Sequence, residues 1–156
     1  MEKNERTIEV LNDLIHINND RVEGYEKAID QTNEDDSDLR NIFHRMAEES
    51  KIYVRELSSQ VQKLGGKPAT GTTAAGKVYR VWMDVKSSLS GSTRKSVLEE
   101  CEYGEDAAQR AYEKALAPGH EIPSEVRSLI HKEQRGLISS HDLIKSYRDS
   151  QAAKHS

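Results

Sequence analysis

The run Leu39-Arg40-Asn41-Ile42-Phe43-His44-Arg45-Met46-Ala47-Glu48-Glu49-Ser50-Lys51-Ile52-Tyr53-Val54-Arg55-Glu56-Leu57 decides how the chain folds. Leu39, Ile42, Phe43, Met46, Tyr53 and Leu57 return at helical spacing, so they stack on one side of a helix. Glu49 stands on the same stripe. A lone carboxylate avoids an apolar interior, because its lost hydration exceeds what packing returns. The run therefore predicts a long amphipathic helix, and it asks what an acid does on the buried side.

Downstream the pattern continues to Leu64. That makes a helix of roughly 39 Å at 1.5 Å per residue. Gly65-Gly66 and then Pro68 stop it. Upstream, the polar residues 31–38 break the periodicity. Ser37 is the candidate cap, and the surrounding acids suit the positive end of a helix. Before that break, Leu11, Ile15, Asn18, Val22, Tyr25 and Ile29 alternate at four and three over residues 7–30. Gly24 inside this helix costs roughly 1 kcal/mol against alanine, and it either permits close packing or lies outside.

The second half repeats the design. Leu98, Cys101, Glu105, Ala108, Tyr112 and Ala115 mark a helix over residues 93–116, ended by Pro118 and Gly119. Val126, Ile130, Glu133, Leu137, His141 and Ile144 mark another, which starts near Pro123-Ser124. Between the halves, residues 67–76 read as a loop. Val78, Val81, Trp82, Val85 and Leu89 then place a short helix over residues 77–89, with a strand as the alternative. Trp82 is its expected anchor. The predicted fold is all-α: an up-down, down-up four-helix bundle with a long crossover between helices two and three carrying a short extra helix. Residues 1–149 form one domain, and residues 150–156 are a frayed polar tail.

Composition narrows the function. The 156 residues carry a formal net charge of −4, with no concentrated basic surface for a nucleic-acid backbone. Cys101 is the only cysteine, so neither an intrachain disulfide nor a cysteine metal cluster can form. No run approaches the roughly 20 apolar residues of a membrane span, which makes a cytoplasmic protein the expectation. Phosphate-loop, dinucleotide, serine-hydrolase and zinc-protease motifs are absent.

The acids remain. Counted from the connection in each hairpin, Glu49, Glu105 and Glu133 stand at similar heights, with His16 or Asn18 facing them from the first helix. Bundles build metal sites in such a layer. Glu49, Glu105, Glu133 and His16 are therefore the candidate metal ligands. A di-iron centre, however, places histidine three residues after glutamate. Here those positions hold Ile52, Ala108 and Gly136, and Glu26 follows Glu23. Oxygen ligands alone would suit magnesium, calcium or manganese better than an iron pair. Two other readings stand beside a metal layer. The acids pair at helix boundaries with Arg40, Arg45, Arg94, Arg110, Arg127 or Arg135, or they make buried hydrogen bonds to histidine or tyrosine. Tyr25, Tyr53 and Tyr112 read as core or rim aromatics, and Cys101 as a small buried hydrophobe.

The combination of Arg80-Val81-Trp82, Glu100-Cys101-Glu102-Tyr103-Gly104-Glu105, Ile130-His131-Lys132-Glu133 and Asp20-Arg21-Val22-Glu23-Gly24-Tyr25 resembles an uncharacterised bacterial family, DUF2383-like. That family is similar in fold to ferritins and rubrerythrins. The resemblance spans nearly the whole chain and implies a ferritin-like four-helix bundle. It implies no activity, because fold alone does not carry chemistry and the histidines of iron-oxidising relatives are missing here. The expected function is a non-catalytic structural, stress-related or protein-interaction scaffold without a cofactor. The alternative is a carboxylate-rich metal-binding protein or divergent oxidoreductase using iron, manganese, magnesium or calcium. A homo-oligomer or an unidentified protein is the expected partner, not nucleic acid or membrane.

Overall fold

The computed structural model describes residues 2–71, 94–118 and 121–154, and all regular structure among them is helical. Helices α1 (Glu2–Gln31), α2 (Ser37–Lys63), α3 (Arg94–Ala115) and α4 (Ser124–Lys154) form the four-helix bundle that the apolar stripes predict. The helix expected over residues 77–89, with Trp82, lies outside the described residues. Helix α1 begins ahead of its stripe, at Glu2. Helix α4 meets no glycine or proline after Gly136 and stays helical to Lys154, past residue 149.

The ends are held by specific contacts. Asp36, not Ser37, occupies the cap position of α2, and its side chain makes no capping bond. Its Oδ1 accepts from Arg94 Nη1 at 3.0 Å instead, while Asp38 accepts two bonds from the same guanidinium at 3.0 and 2.7 Å. Those bonds hold the Asp38 carboxyl below its usual range. They also fasten the start of α3 to the turn between α1 and α2. At the other end, Gly65 takes a φ of 83°. Its N–H bonds Gln62 O at 3.0 Å, and the N–H of Gly66 bonds Val61 O at 2.9 Å, closing α2 with a glycine cap. A Cβ on Gly66 would meet Ile8 Cδ1 at 2.8 Å, so the chain leaves α2 tight against α1.

From there the chain climbs along α1. The Asn12 side chain donates to Lys67 O at 3.2 Å and accepts from Ala69 N at 2.8 Å. Asn19 Nδ2 then donates to Gly71 O at 2.8 Å. The connection thus starts at the Ile8 end of the bundle, and α3 starts at the Asp36 end. Helix α2 also starts at the Asp36 end, so α2 and α3 run the same way. Contacts of α4 with α3 (Tyr112 with Glu133) and with α2 (Glu49 with Ser140, Glu56 with Lys132) run antiparallel. The order is up, down, down, up.

Each helix buries residues at alternating steps of three and four, as Val126, Ile130, Glu133, Leu137, Ser140 and Ile144 do on α4. The apolar interior is not continuous. One cluster gathers Leu11, Leu14, Ile15, Leu57, Val61, Ile130 and Leu137 with their neighbours. The other gathers Ala28, Ile29, Leu39, Phe43, Leu98, Cys101 and Ile144. Between them lie buried polar residues from all four helices, including Asn18, Arg21, Ser50, Glu105, Glu133 and Ser140.

Candidate functional site

The polar layer centres on Arg21, whose side chain is 1% exposed. Helix α1 carries Leu14, Asn18, Arg21, Tyr25 and Ala28 at steps of four, three, four and three, and all five are buried. That repeat delivers the guanidinium to the middle of the bundle. Nε donates to Glu105 Oε1 at 2.6 Å, and Nη2 lies 2.9 Å from Glu49 Oε1. Nη1 donates to Ser50 Oγ at 2.8 Å and to Met46 O at 3.3 Å. The cation also sits 5.3 Å from the Tyr25 ring centroid. Burial opposes its charge, but Glu105 and Glu49 outweigh that penalty and hold the guanidinium firmly protonated.

Each carboxylate has further partners. Tyr25 Oη donates to Glu105 Oε1 at 2.5 Å, and Ser140 Oγ donates to Glu49 Oε1 at 2.8 Å. Burial, reinforced by Glu105, pushes the Tyr25 phenol well up. Tyr53 bonds Glu49, and burial followed by the Glu49 charge raises its phenol too. A chain of donors runs from this centre to the third acid. Arg21 donates to Ser50, Ser50 Oγ to Asn18 Oδ1 at 2.9 Å, Asn18 Nδ2 to Tyr112 Oη at 2.8 Å, and Tyr112 Oη to Glu133 Oε1 at 2.7 Å.

Glu133 is fully buried, and it faces Glu56, which Lys132 Nζ contacts at 3.2 Å. Glu133 Oε2 and Glu56 Oε1 are the buried oxygens of this pair that find no donor while both acids are ionised. One proton resolves this, with the carboxyl of Glu133 donating to Glu56. Burial above all, with the Glu56 bond and charge added, raises Glu133 to about 9, even though the Tyr112 bond pulls the other way.

The candidate ligands are thus only partly united. Glu49 and Glu105 meet on Arg21, while Glu133 stands further along the donor chain. His16 does not join them: it is half-buried, and its Nδ1 lies 2.9 Å from Gly71 O. Asn18 faces the layer from α1 in its place. Arg21 is not among the arginines that the sequence pairs with these acids; its 4-3-4-3 spacing with Leu14, Asn18, Tyr25 and Ala28 is the signal that marks it.

A resident metal pair does not fit this donor set. A fixed guanidinium already stands between two of the acids, where its charge would repel a second cation. The position three residues after Glu133 is Gly136, and an added Cβ there would lie 2.0 Å from Tyr53 Oη. The tyrosine hydroxyl fills the space that a histidine side chain would need. Among the described residues, the group of histidine and acid ligand atoms lying within 4.8 Å of one another is elsewhere, at Glu102, Asp106 and His141. These line the outside of α3 and α4. His141 Nε2 lies 2.7 Å from Asp106 Oδ1, and Arg148 pairs with Glu102.

The family model described as "Domain of unknown function (DUF2383)" matches residues 6–118. Among solved structures, a mutant of Dps1 from Mycobacterium smegmatis is similar over 94% of this chain and 97% of that one. The TM-score is 0.81 at 15% sequence identity, a likeness that shows the ferritin-like four-helix fold. No curated protein matches the chain. No helix among the described residues is long and apolar enough to cross a membrane.

Proposed function

The chain belongs to the DUF2383 family, and we propose that its ferritin-like bundle serves as a non-catalytic scaffold in which the interior acids Glu49 and Glu105 are held by Arg21 instead of metal. One observation carries this reading: Arg21 Nε and Nη2 lie 2.6 and 2.9 Å from Glu105 and Glu49. A buried ion pair held by further hydrogen bonds, here from Tyr25 and Ser140, serves as a structural element. Work is then left to the surface, where Ile52 on α2 and Ile138 on α4 are the exposed large apolar residues among those described. Ferrous iron mixed with the protein in air should oxidise at the buffer rate, followed by ferric absorbance. Protein-dependent oxidation that Glu105→Gln abolishes would overturn the reading.

A second reading, cation binding without catalysis, is favoured by the convergence of Glu102, Asp106 and His141. Zinc titration by calorimetry of the wild type and of His141→Ala checks it. Equal heats from the two proteins would remove it.

A further inference from the structure

We propose that Glu102, Asp106 and His141 take a single Zn2+ ion at the surface, and that Arg148 is the built-in competitor of this site, a cation of the same chain that holds Glu102 until zinc draws it away. The proposal rests on the reading of this cluster as a cation site. It adds which ion the cluster takes and what sets its affinity.

The ligands come from two helices. Glu102 and Asp106 stand one turn apart on α3 and share a face. His141 reaches them from α4, with Nε2 2.7 Å from Asp106 Oδ1. One ligand atom from each residue lies within 4.8 Å of the other two. Zinc bonds nitrogen and carboxylate oxygen at about 2.0–2.2 Å, which sets ligand atoms roughly 3.3 Å apart across a tetrahedron. Side-chain rotation covers that difference. The far side of the imidazole suits the same role. His141 Nδ1 stands 3.5 Å from Asp142 Oδ1, so an acid is placed to hold the ring proton there and leave the Nε2 lone pair to a metal. An imidazole beside two carboxylates favours Zn2+ over Mg2+ and Ca2+, which prefer oxygen throughout. Access is direct: a hollow of about 470 Å³, lined by Glu102, Tyr103, Asp106 and Arg148 among others, opens at this face.

Arg148 lies two turns beyond His141 on α4, and its Nη1 pairs with Oε2 of Glu102. Its Nε and Nη2 lie 3.3 and 2.9 Å from Asp149 Oδ1. Glu102 is thus the acid that the imidazole and the guanidinium share. When zinc takes Glu102, Arg148 keeps Asp149, so the exchange strands no charge. The guanidinium is also 31% exposed, where that of Arg21 is sealed, and water accepts from the donor it frees. A solvated pair of this kind shifts a binding constant only a few-fold, so it tunes the site without closing it.

The test is calorimetric titration of Zn2+ into the full chain and three variants. The wild type should bind one ion, and His141→Ala none. Arg148→Gln should bind about fivefold tighter. Asp149→Asn leaves Arg148 to Glu102 alone and should bind about threefold weaker. None of these side chains is buried, so helical circular dichroism should match the wild type in every variant. Equal heats from the wild type and His141→Ala would remove the cation reading itself. Binding that needs His141 but is no tighter in Arg148→Gln would overturn the competitor and leave that reading standing. Displacement of Zn2+ by excess Mg2+ would overturn the assignment of the ion.

Discussion

Arg21 and Glu105 are joined at 2.6 Å with both side chains sealed from solvent. Breaking a buried pair from one side strands the other charge, at a cost of about 3–5 kcal/mol. Arg21→Met should therefore lose about that much in chemical denaturation. Adding Glu105→Gln should recover more than half of the loss, because the stranded charge disappears. If the double variant is no more stable than Arg21→Met, the pair is not what holds this part of the bundle.

Glu133 sets an expected pH dependence. Its folded-state pKa is raised to about 9, so between the ordinary glutamate range and that value the folded chain holds a proton that the unfolded chain has lost. The stabilisation is complete at acidic pH and is lost as pH rises toward 9, at up to about 1.4 kcal/mol per pH unit. Glu56, Tyr112, Tyr53 and Lys132 all act on this carboxyl. Glu133→Gln keeps a donor for Glu56 and removes the titration. Urea midpoints measured across this range should fall for the wild type and stay flatter for the variant.

Gly136→Ala should destabilise the protein despite a better helix former, a gain of about 1 kcal/mol. The added methyl would lie 2.0 Å from Tyr53 Oη, and overpacking of this kind costs about 1–3 kcal/mol. Tyr53→Phe removes the clashing oxygen. A double-mutant cycle should show favourable coupling of more than about 0.5 kcal/mol, and strict additivity would place the strain elsewhere.

Cys101 is fully buried, and burial together with Glu105 and Glu100 pushes its thiol well up. It should resist a thiol-specific chromogenic reagent in the native state and react stoichiometrically in denaturant. Prompt reaction of the native protein would contradict this packing.

Much of the bundle is visible in the sequence because its apolar residues obey one period. The alternation through Leu39, Phe43, Met46, Tyr53 and Leu57 gives α2, and the glycine pair gives its end. Glu105 and Glu133 are visible as acids on a stripe. Arg21 is harder to see. Arginine usually signals an exposed face, and the α1 stripe can be traced through Val22, which is only half-buried. His16 and Asn18 lie at nearly the same height, but two residues turn a helix by roughly 200°, so height alone does not select the inward one. The donor chain from Ser50 through Asn18 and Tyr112 joins three helices, and no single-helix periodicity contains it.

The divided core has a consequence for alignment. Above and below the polar layer, the helices bury apolar residues at similar intervals. Grease packed on grease tolerates a slide of one helix by two turns, since each side chain meets another of its kind. The layer does not tolerate it: moved by seven residues, Arg21 would stand level with Leu98 or Tyr112 in place of Glu105, and Asn18 would lose Tyr112. The five polar side chains Asn18, Arg21, Ser50, Glu105 and Tyr112 therefore act as an index mark, admitting one axial setting among several that the apolar pattern alone would accept.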